Sequence, residues 1–480
     1  MIKKLLLALS IVSTLLSGKA YAQTSNSVVV EVTRNSVEDT WLVRYKFSEP
    51  VFEVNFYPFS EKFRKTLFEI QTPGVFIRTN DQYESIIVSN PMGITELTLT
   101  HKTYDVQVHQ TYEFHSRFSQ TDVVAYSGYY YLYNLRTARG WEKLGHQSFN
   151  FKINGLGYVM ANGKRGNESI TWEATPAQPA TFVYFGQTEP FGQSGFQLLI
   201  DPHLPEWVRL TYADIFPKMV ALYSQALYQL PEEIWGVIAY DGRSKEFSRG
   251  GGAINGSNTT FITAIGEDWN NENPGNGLIR PVQKFIAHHT LFHEFVHMWN
   301  ANNPAIKLTQ PWLWEGSAEA FAYETFEKLG LKNSNIDPVY AKYVELMYKN
   351  NLNENFKKCL SSLRSALEMQ LNRLENKDFG YGCGHMIGIL TDRALKKKNN
   401  SQDIFSFWKV LFQNSLKSGR PIDAQTYLEA LDQTTENETA KKAVQTLVIG
   451  VLDAEMVSGQ FLASALTSIG ETFHLPNENK

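Results

Sequence analysis

One helix constrains this 480-residue chain more than anything else in it: the one that carries His293-Glu294-Phe295-Val296-His297. Val282, Phe285, Ile286, Phe292, Val296 and Trp299 recur at helical spacing around it. Pro281 suits a first turn, and Asn300, Asn302, Asn303 and Pro304 read as a stop. The pattern predicts a half-buried helix from Pro281 to about Trp299. Two histidines four apart on such a helix point the same way, so their ring nitrogens can meet at one ion. Glu294 can then reach a water on that ion and take its proton. The bare pattern also describes a helix with two packed histidines and a surface glutamate, so the decision lies downstream.

A hydrolytic zinc site holds three protein ligands and keeps one position open. The run Trp312-Leu313-Trp314-Glu315-Gly316-Ser317-Ala318-Glu319-Ala320-Phe321 supplies a candidate. Ala318, Phe321 and Ala322 repeat at helical spacing, and Glu315 and Glu319, four apart, share a face. Two carboxylates on a face rich in alanine call for a cation opposite. Glu315 is therefore read as the third ligand. Glu319 is read as its support, accepting the N–H of a ligating histidine and fixing the tautomer.

These residues resemble the gluzincin metallopeptidases, first the glycyl aminopeptidase family and more distantly the aminopeptidase N family. His293-Glu294-Phe295-Val296-His297-Met298-Trp299-Asn300 is similar to the H-E-F-x-H-x-W-N of the glycyl aminopeptidases, and Trp314-Glu315-Gly316 to the E-G that carries the third ligand in both. The intervening 17 residues are one fewer than in the aminopeptidase N pattern and fewer than the usual glycyl aminopeptidase loop. Tyr381-Gly382-Cys383-Gly384 is similar to Y-x-K-G, whose tyrosine implies an oxyanion donor; Cys383 stands where lysine is usual. The likeness spans roughly Leu210 to Leu431, and the peptide-binding PDZ module that often ends glycyl aminopeptidase relatives is not expected.

One segment departs. Arg249-Gly250-Gly251-Gly252-Ala253-Ile254-Asn255 resembles the glycine-rich strand (G-x-M-E-N or G-G-L-E-H) on which these families lay the substrate backbone. Glycines allow close approach, and strand addition tolerates varied side chains. The resemblance thus implies substrate contacts at Gly251, Gly252 and Ala253. In the families a glutamate here binds the free amino terminus, but this chain places Ile254 in that slot. An aliphatic side chain cannot pair with an ammonium, so the resemblance does not extend to aminopeptidase specificity.

The chain opens with Lys3 and Lys4, an apolar run from Leu5 to Leu16, and Ala20-Tyr21-Ala22. That order reads as an export signal cut after Ala22, with the product periplasmic or secreted. The run is too short to span a bilayer, and no longer one follows, so no transmembrane segment is expected in the mature chain. Loss of Lys3, Lys4 and Lys19 takes three positive charges from a formal net charge of −4, giving −7. Such a chain, with no long basic run, gives no reason to propose nucleic acid as a partner. Cys359 and Cys383 are the two cysteines and can form one disulfide in an oxidising compartment, tying the Cys359 helix to a loop carrying Tyr381.

Short runs rich in branched and aromatic residues, such as Val28–Val32, Trp41–Phe47, Tyr83–Val88 and Glu96–Thr100, are separated by turn signals and suggest an all-β sandwich-like amino-terminal domain over 23–203, after the signal at 1–22. A thermolysin-like α+β zinc domain is expected over 204–333. A helical carboxyl-terminal region over 334–480 is expected to complete the cleft, with helices at Val339–Tyr348, Asn355–Leu374, Gly384–Lys397 and Ile404–Leu416. His288 reads as a surface residue, His289 as bordering the site or packed, His385 as a candidate at the oxyanion side, and Asn300 as a brace for the ligand helix.

The reading is an exported metallopeptidase with one Zn2+ on His293, His297 and Glu315, Glu294 as general base, Tyr381 as oxyanion donor, and an extended peptide or protein as substrate. The alternative is a gluzincin-fold periplasmic binding or assembly protein whose turnover is impaired; a non-peptide hydrolase on this scaffold is a third possibility.

Overall fold

The computed structural model describes residues 27–471 apart from 59–61, 105–113, 119–120, 177, 179, 194, 231–232, 243–247, 254–258, 271–278, 302, 304, 308 and 371. The expected export signal and Ile254 therefore lie outside the described residues. The chain forms two compact units. The first comprises residues 1–104, 127–155 and 169–179; the second comprises 105–126, 156–168 and 180–480.

Among the described residues the first unit is β-rich, with one short helix, Arg64–Leu67, and a 3-10 turn, Ser127–Tyr130. One sheet has six strands, ordered Ser169–Ala174, Gln147–Asn154, Val28–Asn35, Thr40–Val51, Ile94–Lys102 and Glu69–Ile70; a second has five. Alternating residues of the paired strands Val28–Asn35 and Thr40–Val51 are buried, as period-two patterning requires. Tyr45 of the first sheet meets Phe56 of the second edge to face, ring centroids 6.3 Å apart. A buried ion pair, Arg64 to Glu84 at 2.9 Å, sits in the same core, the guanidinium 4.6 Å from the Phe56 ring.

The second unit holds two more five-stranded sheets. One is ordered Lys164–Gly166, Tyr158–Ala161, Phe182–Gly186, Val123–Tyr126 and His115–Arg117, all antiparallel. The other positions the site. Its strands are β1 (Phe191–Gln193), β2 (Phe196–Ile200), β3 (Ile234–Asp241), β4 (Ser248–Ala253) and β5 (Thr259–Ile265), ordered β1-β2-β3-β5-β4. The inner strands β2, β3 and β5 run parallel, while β4 closes the order antiparallel to β5. Tyr158, Phe182, Trp235, Val237 and Phe261 join the two sheets in one apolar cluster, with Phe182 and Phe261 stacked at 4.7 Å.

Helix α1 (Glu206–Ala226) connects β2 to β3, and after the sheet come α2 (Ile279–Asn300), α3 (Ser317–Lys328), α4 (Pro338–Met369), α5 (Lys377–Lys398), α6 (Ile404–Ser418), α7 (Ala424–Thr434) and α8 (Glu438–Ile449). The carboxyl-terminal part is thus helical, as its patterning predicts. Phe295 of α2 meets Phe216 of α1 edge to face at 4.7 Å, and Phe292 and Phe326 hold α2 against α3. Where two helices were expected between 339 and 374, one 32-residue helix runs from Pro338 to Met369. Four asparagines, Asn350, Asn351, Asn353 and Asn355, fall where the two were expected to part. The helix continues because Asn351 and Asn355 find side-chain partners on its buried face, described below.

Before α3 the chain makes a π-helical turn, Trp312–Gly316, which abuts α5. A Cβ on Gly316 would overlap the backbone of Gly384, and a Cβ on Gly384 would stand 3.0 Å from the Cα atoms of Gly316 and Trp312. The glycines of Glu315-Gly316 and Cys383-Gly384 therefore have one steric cause: two backbones in contact. Cys359 of α4 and Cys383 of α5 are joined by a disulfide. Tyr381 lies within the helical first turns of α5, not in a loop. The contact predicts that Gly316→Ala costs about 3 kcal/mol by forced overpacking, measured as the shift in denaturant midpoint against wild type.

Candidate metal centre

The sequence of α2 alternates the groups the site needs with the groups that bury the helix. Phe292, Phe295, Val296 and Trp299 are buried in the core, and His293 and His297 emerge one turn apart. The π turn brings Glu315 opposite them. Nε2 of His293 lies 3.2 Å and Nε2 of His297 3.5 Å from the same atom, Glu315 Oε2. One ligand atom from each of the three residues lies within 4.8 Å of the others, and all three side chains are buried.

The rear nitrogens are also engaged. Nδ1 of His293 stands 3.2 Å from Glu319 Oε1, and Nδ1 of His297 3.0 Å from Asn300 Oδ1. Asn300 in turn donates to Trp314 O at 2.7 Å and to Ser317 Oγ at 2.8 Å, so it braces the π turn against α2. Each imidazole thus turns Nε2 toward Glu315 and Nδ1 away from it. Glu319 gains two further partners through Oε2: His289 Nε2 at 3.1 Å and Asn351 Nδ2 at 3.2 Å.

The electrostatics favour a cation at this point. Burial works against charge on His293, yet its bonds to Glu315 and Glu319 raise its pKa well above the ordinary value. Burial likewise opposes charge on Glu315, but its bonds to His293 and His297 hold it well below the usual carboxylate range. Glu319 is held low in the same way by His289 and His293. Three carboxylates, with Glu294, surround buried ground where positive charge is stabilising. Two imidazole nitrogens and one carboxylate oxygen are a donor set that suits zinc.

Glu294 is half-buried and lines, with His293, Glu319 and Tyr381, a cavity of about 540 Å³. The Tyr381 hydroxyl donates to Glu315 Oε1 at 2.5 Å. Burial, and then the charge on Glu315, push its pKa far above the usual phenol value, so it stays a proton donor. Gly251, Gly252 and Ala253 lie on β4, paired with Ile262, Phe261 and Thr260 of β5; β4 is the last strand in the sheet order.

Two of the lesser candidates take different places. His288, expected at the surface, is buried with Nδ1 2.6 Å from Tyr340 Oη, and burial pushes its pKa down to about 3. His385 does not line the cavity. It is fully buried, burial lowers its pKa to about 4, and its Nδ1 lies 2.6 Å from Asn355 Nδ2. Asn351 and Asn355 were not singled out from the sequence; the available signal was two asparagines four apart in register with Cys359 on one helical face.

In sequence comparison the chain matches no family model and no curated protein. Comparison of folds is different. An aminopeptidase N family protein from Idiomarina loihiensis aligns with a TM-score of 0.57 at 12% identity, over 90% of this chain and 78% of that one. The chain shares its fold. An M1 zinc metallopeptidase from Deinococcus radiodurans aligns at a TM-score of 0.43 and 12% identity, over 89% of this chain and 94% of that chain. Native leukotriene A4 hydrolase from Saccharomyces cerevisiae aligns at 0.45 and 12%, over 92% and 72%.

The arrangement predicts distinct effects on metal content. His297→Ala or Glu315→Gln should reduce the zinc content of dialysed protein, read by elemental analysis, to a trace of that of wild type. Glu319→Gln should keep the site but weaken zinc affinity by about 10- to 100-fold, measured by competition with a chromogenic chelator.

Proposed function

We propose that the protein is a zinc metallopeptidase of gluzincin type, with a thermolysin-like catalytic core and a glycyl aminopeptidase-like sequence signature. The observation that carries this reading is the convergence of His293, His297 and Glu315 on one point, with Glu294 and Tyr381 on the cavity beside it. His293, His297 and Glu315 would hold one zinc ion. Zinc, when bound, would supply a Lewis acid for the scissile carbonyl and a water of lowered pKa.

The remaining chemistry belongs to the chain. Glu294 takes the proton of the attacking water and hands it to the leaving amine. The Tyr381 hydroxyl donates to the oxygen on which negative charge develops, and its raised pKa keeps that proton in place. Glu319 and Asn300 hold the two imidazoles in one tautomer and one orientation. A peptide would lie extended along β4, with backbone pairing at 251–253. Because Ile254 occupies the slot of the amine-binding glutamate, recognition of a free amino terminus is not part of the proposal. Residues 1–22 are proposed as an export signal, so the mature protein should begin at Gln23.

The test is cleavage of matched peptide pools with free and acetylated amino termini, read by mass spectrometry. Both pools should be cut, and a chelator should stop the reaction. Glu294→Gln should lower kcat/KM by about 1000-fold with zinc still bound, and Tyr381→Phe by about 100-fold, mainly in kcat. Cutting confined to free amino termini would mean that another group replaces the missing anchor. Zinc-loaded wild type that cuts neither pool would sink the peptidase reading and favour a binding role.

A further inference from the structure

The cavity beside Glu294 has two chemically different ends. At its base stand Glu294 and Glu319, next to His293. Its outer wall is the α4 face, whose residues 350, 351, 354, 355 and 358 all line it. The α4 wall carries two charges, Glu354 and Lys358. Glu354 is engaged outside, by Lys357 Nζ at 2.9 Å. Lys358 has no carboxylate within 4.0 Å among the described residues, although three glutamates line the same cavity. A second ammonium, Lys377, stands 5.8 Å from the centre of the Tyr381 ring, also with no carboxylate within 4.0 Å among the described residues. Lys358 is thus the one lysine or arginine among the described residues that line the cavity, with Glu354 one helical turn away on the same wall.

Glu294 orients the cavity. In the reaction proposed above, its carboxyl must reach both the attacking water and the leaving amine. A substrate segment that runs past Glu294 into the cavity is the segment on the leaving-group side. We infer that Lys358 is a specificity-determining residue that binds a carboxylate on that segment, so the enzyme takes peptides carrying negative charge just carboxyl-terminal to the scissile bond. This rests on the peptidase reading for its direction, though not for the binding itself. The carboxylate can be the terminal one of a short leaving peptide or the side chain of an Asp or Glu. Both offer the planar anion that an ammonium on a flexible stem can reach. The acidic base adds the orienting half: it repels the same anion, so the charge settles at the Lys358 end rather than beside Glu294.

Binding and turnover test this separately. Zinc-loaded Glu294→Gln protein and its Glu294→Gln/Lys358→Gln counterpart would be titrated by fluorescence anisotropy with four labelled peptides. These are a free acid and its carboxyl-terminal amide, and an internal Glu peptide and its Gln match. The first protein should bind an acidic member about fivefold tighter than its neutral match, the scale of a half-exposed ion pair, and Lys358→Gln should remove that preference. Lys358→Arg should keep it. Loss of preference in the free-acid pair alone identifies the terminal carboxylate; loss in the Glu/Gln pair alone identifies the side chain. In the active enzyme the same change should raise KM for the acidic member and leave the two members alike. Equal affinity for all four peptides in the Lys358-containing protein, alongside normal peptide cleavage by wild type, overturns the Lys358 assignment and leaves the peptidase reading intact. Wild type that cleaves nothing, with the charge preference still present and Lys358-dependent, would overturn the peptidase reading and leave the anion subsite.

Discussion

A single buried carboxylate, Glu315, joins the elements on which the site depends. It faces two imidazoles from α2 and the Tyr381 hydroxyl from α5, while its own backbone belongs to the π turn before α3. Burying that charge is costly without partners. Three convergent donors, each from a helix packed in the same core, make it tolerable in the protein alone. The same arrangement explains the close approach at Gly316 and Gly384. A side chain there would push the π turn away from α5 and separate Glu315 from Tyr381. The glycines act on the chemistry through distance, not through conformational freedom, since neither has a positive φ.

Behind this lies a polar layer that would be out of place in an ordinary helical core. Glu319 accepts from His289 and Asn351; Asn355 links Asn351 to His385. Asn351, Asn355 and Cys359 recur every four residues, so one face of α4 supplies the amides and then the disulfide to α5. Asparagine is a poor helix former because its side chain competes for the backbone. Here those side chains are occupied by the layer, which removes the competition and lets α4 run through unbroken. An unfavourable local choice is retained where a buried polar group needs a partner.

That trade explains which parts were legible in the sequence. The α2 helix, its apolar face and the convergence of its two histidines follow from spacing alone, because helical periodicity is local. The pairing of Glu315 with Glu319 on one face was likewise visible, although the π turn that carries Glu315 was not: an extra residue in a turn leaves no mark on an Ala-rich stretch. Helix α4 was read as two pieces because the tertiary partners of Asn351 and Asn355 lie 28 to 32 residues away in sequence. His288 was read as a surface residue beside a His289 read as bordering the site or packed. Its burial depends on Tyr340 of α4, which no local pattern indicates. Strands Val123–Tyr126, Tyr158–Ala161 and Phe182–Gly186 belong to the second unit and are buried residue after residue, but which sheet they join is set by non-local pairing.

The proposed metal site and the proposed substrate contacts are built from different parts of the chain. His293, His297 and Glu315 converge on one point, and Glu294 and Tyr381 line the cavity beside it. Ile254 stands where the resemblance places an amine anchor, and Lys358 lines the cavity from α4, one helical turn from Glu354. Ground-state recognition and the chemical step make separate demands on a site. In the proposed peptidase, a carboxylate held by Lys358 would make charge recognition a property of the cavity rim, while the buried contacts of Glu315 with His293, His297 and Tyr381 fix the geometry beneath it.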